Sequence, residues 1–239
     1  MADPAESGVV AVIAAKDEAQ RIAATVRSLA SGVSYIAAIV VVDDGSRDLT
    51  STIAREQGAH VERHRSNRGK AAAMATGARV AKVMHPDAAV LFVDADLEES
   101  AAALGVLCLP VMRGEADMTI AVLPPQRAAG GGFGLVTGLA AKGIEDLTGW
   151  RPSQPLSGMR CVRRSTLDDA LPLARGWGVE VGLTVDVLRG GGRVHEVPCE
   201  LHHRVTGKDW RSQLHRARQY RDVWIALARR RRPLLRRRP

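Results

Sequence analysis

Two apolar strands that run straight into carboxylates constrain this chain more than any other feature. The first reads Ile39-Val40-Val41-Val42-Asp43-Asp44-Gly45-Ser46 and the second Val90-Leu91-Phe92-Val93-Asp94-Ala95-Asp96. Desolvating unpaired charge is costly, so aspartates gathered at the end of a buried strand need a partner or a ligand. Two carboxylates one residue apart, at a strand's carboxyl end, suit a hard divalent cation that takes oxygen ligands. A Mg²⁺ or Mn²⁺ at Asp94 and Asp96 would in turn hold a diphosphate. Between the two strands, Asn67-Arg68-Gly69-Lys70 is a basic turn opening an alanine-rich helix. Helix N-termini and lysine both favour anions, which makes this turn a phosphate seat.

The same segments have plainer structural roles. Asp-Gly at 44–45 makes a turn, and Ser46 is a natural helix cap. Lys70 reads equally as a solvated first-turn lysine, and Glu18 as a first-turn acid balancing a helix dipole. Turn and ligand roles can coexist at 43–48.

The first half reads as repeated strand–helix units. Residues 8–15 predict a strand, after which Asp17 is expected to cap a helix with Ile22, Val26 and Leu29 on one face, ending near Gly32. Strands are expected at 36–42, 59–64 (weaker) and 89–94, with helices at 48–57 and 69–84. Near-continuous apolar strands alternating with helices imply a mostly parallel sheet covered on both faces. Ligands in such sheets bind at the carboxyl ends of the strands, where Asp43, Asp44, Asp94 and Asp96 fall. The second half predicts a strand at 118–123, a helix at 135–147 and a strand at 158–163. A helix at 178–189 carries Glu180 and Asp186. An edge strand at 193–201 contains Pro198, and an amphipathic helix spans 208–230. The expected architecture is a single Rossmann-like α/β domain over 1–228. Its nucleotide-binding half spans about 8–123 and its acceptor half about 124–228.

Composition narrows the classes. The chain has 239 residues and 46% hydrophobic content, enough for a real core. Aromatics at 3% are too scarce for a base-stacking module. Seven arginines between Arg229 and Arg238 account for all but one of the eight net positive charges. The body is therefore nearly neutral, which disfavours a specific nucleic-acid face. Cys108, Cys161 and Cys199 are odd in number and widely spaced, implying buried thiols in a reducing compartment. With no apolar run of the ~20 residues that span a bilayer, a cytoplasmic protein is expected.

In order and spacing, residues 9–18, 39–50, 67–74 and 90–96 resemble glycosyltransferase family 2 and its relatives with the A-type nucleotide-sugar fold. The resemblance implies that the first strand's end (Ala14, Glu18) and the turn at Asp43 and Asp44 hold the nucleoside of a UDP- or GDP-sugar. It also implies that Asp94, Ala95 and Asp96 carry the metal and diphosphate, and that Lys70 approaches the phosphates. The family's Pro-x-x-Asn-Glu after the first strand is here Ala14-Ala15-Lys16-Asp17-Glu18, a change in loop stiffness. In the second half, Gly176-Trp177-Gly178-Val179-Glu180 followed by His202-His203-Arg204 resembles the glucosyl- and mannosyl-phosphoglycerate synthase type. That resemblance places Glu180 by the donor sugar and makes His203 a third metal ligand, with His202 its rival. Imidazole beside two carboxylates suits Mn²⁺ or Mg²⁺. The segment Gly130-Gly131-Gly132-Phe133-Gly134, where that type binds its acidic acceptor, has no arginine.

The expected function is metal-dependent sugar transfer to an unidentified acceptor, phosphorylated or lipid-linked, with Asp186 a candidate base. A homodimer is compatible with this reading. Two rivals are a sugar-phosphate nucleotidyltransferase, which should show a glycine-rich loop after the first strand, and a nucleic-acid-binding protein, which leaves the aspartates unexplained. The tail at 229–239 is either solvated or a peripheral contact with the anionic inner face of a membrane.

Overall fold

The central strands form because their apolar runs are buried on both sides. In the computed structural model, which describes residues 8–124, 133–201 and 210–231, the strands are β1 (Val9–Ala15), β2 (Ile36–Asp43), β3 (His60–Arg63), β4 (Ala89–Asp94), β5 (Met118–Val122), β6 (Arg160–Val162) and β7 (Val194–Pro198). They make one sheet in the order β3-β2-β1-β4-β6-β5-β7. Alternate residues of β1 supply opposite cores. Val9, Ala11 and Ile13 pack with Ile22, Val26 and Leu29 of α1 (Ile22–Gly32). Val10 and Val12 pack with Met74 and Ala78 of α3 (Lys70–Met84). A third cluster joins α5 (Phe133–Thr148), α7 (Val179–Arg189) and α8 (Trp210–Arg230) through Val136, Ile144, Val185, Val223 and Leu227.

Strand order places the site. β1 lies between β2 and β4, all parallel, so the crossovers after β1 and β3 leave in opposite directions. That reversal opens a crevice at the carboxyl ends of the strands. Register carries Asp94 opposite Ala14, and Asp43 opposite Ala15, on either side of the same strand end.

Several expectations shift. β6 is antiparallel and sits inside the sheet, between β4 and β5, so both halves of the chain share one sheet. Asp17 does not cap α1; it sits at φ 57, and Arg21 precedes the helix. The first-turn geometry is set by the neighbouring turn instead. The Asp17 N–H donates to Ser46 Oγ at 2.9 Å, and the Arg47 N–H donates to Asp17 Oδ1 at 2.7 Å. Two further helices, α4 (Gly105–Met112) and α6 (Arg164–Asp169), join α2 (Thr50–Glu56) to complete the set among the described residues. α8 runs through Arg230, so Arg229 and Arg230 are helical rather than tail. β7 is an edge strand with Pro198 at its end, and the three cysteines are buried and free, as expected. Among the described residues no helix is long and apolar enough to cross a membrane.

α3 lies directly on β1 because Gly77 offers no side chain there. A Cβ at Gly77 would meet Val12 Cγ1 at 2.2 Å. Gly77→Ala should therefore destabilise the protein by roughly 1–3 kcal/mol through overpacking, despite a helix-propensity gain of about 1 kcal/mol. Urea unfolding measures it, and adding Val12→Ala should restore part of the loss.

Candidate functional site

The turn after β2 is built around two aspartates with different surroundings. Asp43 is fully buried. Its Oδ1 accepts the Ser46 N–H at 2.7 Å, the Ser51 hydroxyl donates to its other oxygen, and Arg63 Nε lies 3.4 Å away. Burial pushes its pKa up, but the Ser46 and Ser51 donors and Arg63 outweigh burial, so the carboxyl titrates below its ordinary value. Asp44 clasps the loop before α3. It accepts the Arg68 N–H at 2.8 Å and the Gly69 N–H at 2.7 Å, and pairs with His64 at 2.7 Å. His64 reaches Thr76 with its other nitrogen at 2.9 Å. This clasp fixes where α3 begins, and so where Lys70 stands.

Lys70 joins the two halves of the chain. Its Nζ lies 2.7 Å from Asp94 Oδ1 at the end of β4 and 3.2 Å from Glu180 Oε1 in the first turn of α7. Burial works to lower its pKa, but the two carboxylates override burial and raise it, which favours the charged ammonium. Gly158 closes the opposite side. A Cβ there would sit 2.5 Å from Lys70 Nζ and 2.9 Å from both Asp94 oxygens. Ala95 is buried, and its carbonyl accepts the Thr25 hydroxyl at 2.9 Å. Thr25 Oγ1 also accepts the Glu98 N–H at 2.9 Å, which pins the turn carrying half-buried Asp96 to α1.

Arg160, the first residue of β6, is fully buried beneath Glu180. Its guanidinium donates to the carbonyls of Pro155 (3.1 Å), Ser157 (2.9 Å) and Glu180 (2.7 Å), and to Thr184 Oγ1 (2.6 Å). Burial pushes its pKa down to about 10, against the pull of Glu180 and Glu196. Composition and motif reading pass over Arg160. The available signal was an arginine inside the otherwise apolar run Met159-Arg160-Cys161-Val162.

Asp44 and Lys70 border a cleft along the strand ends. A space of about 420 Å³ is bounded by Ala14, Asp44, Lys70, Trp177 and Arg218. It adjoins one of about 790 Å³ at Gly45, Arg47, Arg63 and Ser66, the two sharing Lys16 and Asn67. Glu18 stands at the same edge, its N–H donating to Thr50 Oγ1 at 2.9 Å and its carboxylate 3.1 Å from Arg21.

Two expected site residues fall elsewhere. Asp186 lines a separate cavity of about 900 Å³ with Asp117, Thr166 and Pro172. Both of its oxygens are taken by the Arg230 guanidinium, one at 2.7 Å from Nε. A carboxylate held this way is no base for the cleft, which corrects that expectation. His203, with its rival His202, lies outside the described residues, as do 130–132 of the glycine run. Among the described residues no group of three or more His, Cys, Asp or Glu side chains converges as a metal cage.

Comparison with known proteins gives the family and the fold. The family model described as glycosyl transferase family 2 matches residues 10–168, more than half of the chain. Glucosyl-3-phosphoglycerate synthase from Mycobacterium tuberculosis, crystallised with phosphoglyceric acid, superposes with a TM-score of 0.75 at 26% identity, covering 95% of this chain and 82% of that one. The same enzyme with Mn²⁺, uridine diphosphate and phosphoglyceric acid gives 0.75 at 26% identity, over 95% and 80%. With Mn²⁺, UDP-glucose and phosphoglyceric acid it gives 0.74 at 25%, over 95% and 81%. An uncharacterized protein of Methanocaldococcus jannaschii is 42% identical over 82 residues, 34% of this chain; the match spans about a third of that relative (33%).

Because the Asp43 carboxyl titrates lower in the folded chain than in the unfolded one, it stabilises the fold above its ordinary pKa of 3.8, and that contribution disappears as the pH falls through the folded value. Asp43→Asn should be less stable than wild type at neutral pH, with the deficit shrinking as the pH is lowered from about 4 towards 2. Chemical denaturation across that range is the check; a deficit independent of pH would contradict the assignment.

Proposed function

The chain belongs to glycosyl transferase family 2, and from that premise we propose that it moves a sugar from a nucleoside diphosphate sugar to an acceptor in a metal-dependent reaction. The observation that carries the reading is Lys70 held between Asp94 and Glu180, in a cleft at the strand reversal. This arrangement sets a fixed cation beside carboxylates at the strand ends, where anionic ligands of such sheets bind.

Asp94 and Asp96 fit Mg²⁺ or Mn²⁺ by donor chemistry: hard oxygens, two of them, half-buried at one strand end. The bound cation would supply charge neutralisation for the departing diphosphate. Two carboxylates make a weak site alone, so nucleotide phosphates complete it, with His203 the proposed third protein ligand. Lys70 meets the diphosphate as a cation and exchanges no proton. Glu180, sealed against Arg160 and salt-bridged to Lys70, orients the sugar hydroxyls. Of the two turn aspartates, Asp44 borders the cleft and is the one to accept from the base; Asp43 holds the turn from beneath. Ala14, Glu18 and Ala95 shape the floor of the site. Uridine is the favoured base, since the similar mycobacterial enzyme was crystallised with uridine diphosphate. Lys16 and Arg218 add positive charge to the cleft and support an acceptor with its own negative charge, of the phosphate or carboxylate kind. An ionised acceptor needs no strong base, which accommodates the capture of Asp186 by Arg230.

Two outcomes are expected. Asp96→Ala should lower Mn²⁺-dependent turnover of a uridine diphosphate sugar by at least ~100-fold while leaving the thermal melting curve unchanged, because the cation's charge stabilisation is lost. Turnover at the wild-type rate in that variant, or in excess chelator, sinks the metal assignment. Gly158→Ala should displace the Lys70–Asp94 pair and cost turnover about 10-fold or more, with a smaller effect on nucleotide-induced thermal stabilisation.

A further inference from the structure

α8 has two faces, and packing explains only one of them. Val223 and Leu227 are buried against α5 and α7, and Ala226 is buried over Gly178. The flank beside that buried face carries Tyr220, 44% exposed, and Trp224, 53% exposed, with Ala228 one turn further on. Arg218, Arg221, Arg229 and Arg231 are exposed around this stripe. The lone acid of the helix, Asp222, is drawn inward: it pairs with Arg221 at 3.0 Å and accepts the Trp177 N–H at 3.2 Å. An aromatic stripe bordered by arginines, with no free acid on the same helix, has the charge and polarity of an interfacial helix.

We infer that this face of α8 docks the protein on an anionic lipid bilayer surface. Tryptophan and tyrosine place an apolar body and a polar tip at the headgroup level. Arginine stems lie along apolar surface while their guanidinium groups reach phosphate. A second copy of the chain is a poor occupant, because a two-fold contact here sets the arginines of both copies against each other. The face is continuous with the cleft: Arg218 borders the cleft beside Lys70 and Trp177, and Arg221 and Arg229 line a groove with Arg175 one turn on. Docking through α8 thus brings the cleft mouth to the bilayer surface, where a lipid-borne acceptor is presented. The docking itself does not depend on the proposed reaction, and its test uses no substrate.

The test is co-sedimentation of the full chain with phosphatidylcholine vesicles, with and without phosphatidylglycerol, at low and high salt. Wild type should bind the anionic vesicles at low salt, release at high salt and ignore pure phosphatidylcholine. Arg221→Gln/Arg229→Gln/Arg231→Gln should weaken partitioning at least ~30-fold. Trp224→Ser should weaken it about 5-fold, a change that salt does not reproduce. These positions are exposed, so unchanged melting curves are expected and are measured alongside. Absence of vesicle binding overturns the inference. So does binding unchanged by the α8 variants, including the case in which removal of 232–239 alone abolishes it. Self-association broken by Trp224→Ser without vesicle binding would assign the face to a second copy instead.

Discussion

A single ammonium group held between carboxylates from opposite halves of the chain sets the terms for the rest of this structure. Lys70 belongs to the first half, as does Asp94; Glu180 comes from the second. Glu180 is buried and Lys70 and Asp94 half-buried, and a buried charge persists only when paired, so removing one partner strands the others. The pairing therefore demands that α3, β4 and α7 meet at one point.

Arg160 is the counterpart on the other side of Glu180. It places a guanidinium in the sheet interior, where an unsatisfied charge is prohibitive, and satisfies it with three carbonyls and one hydroxyl. Those carbonyls belong to the 155–157 turn and to the start of α7. One side chain thus ties the turn leading to Gly158 to the helix that presents Glu180. Gly158 itself leaves the space that Lys70 and Asp94 occupy. The short antiparallel β6 follows directly on this turn: it opens with Arg160 and runs in the direction opposite to β4.

What was legible in the sequence is what local chemistry decides. Runs such as Val9–Ala15 and Ala89–Asp94 announce strands through apolar continuity, and the aspartates at their ends mark the carboxyl edge without any knowledge of pairing. Glu180 was readable only through the resemblance that the segment Gly176-Trp177-Gly178-Val179-Glu180 carries. What was not legible depends on distant partners. Asp17 resembles a cap, but Ser46 and Arg47, some thirty residues on, claim its backbone and side chain. Asp186 resembles a free acid near Glu180 until Arg230, 44 residues away, takes both oxygens. Three-residue β6 has too little periodicity to declare its direction. Lys70 was singled out as a phosphate contact, but nothing local shows that two carboxylates already hold it.

The seating of α8 bears on how the site faces its surroundings. Two glycines let this helix approach the segment before α7: a Cβ at Gly176 would meet Asp222 Oδ2 at 2.1 Å, and one at Gly178 would meet the Asp222 carbonyl at 2.6 Å. A third, Gly143 of α5, admits Leu227 in the same way, at 2.3 Å. Close backbone contact of this kind leaves little freedom to slide, because interiors are packed near crystal density and have no slack to absorb a shift. The Trp177 N–H bond to Asp222 and the Arg230–Asp186 pair fasten the two helices at either end. α8 and the helix bearing Glu180 therefore behave as one body. Whatever surface the outer face of α8 meets, the orientation of that surface relative to the cleft is set by this joint rather than by the contact itself. A bilayer docked there would see the cleft at one fixed angle.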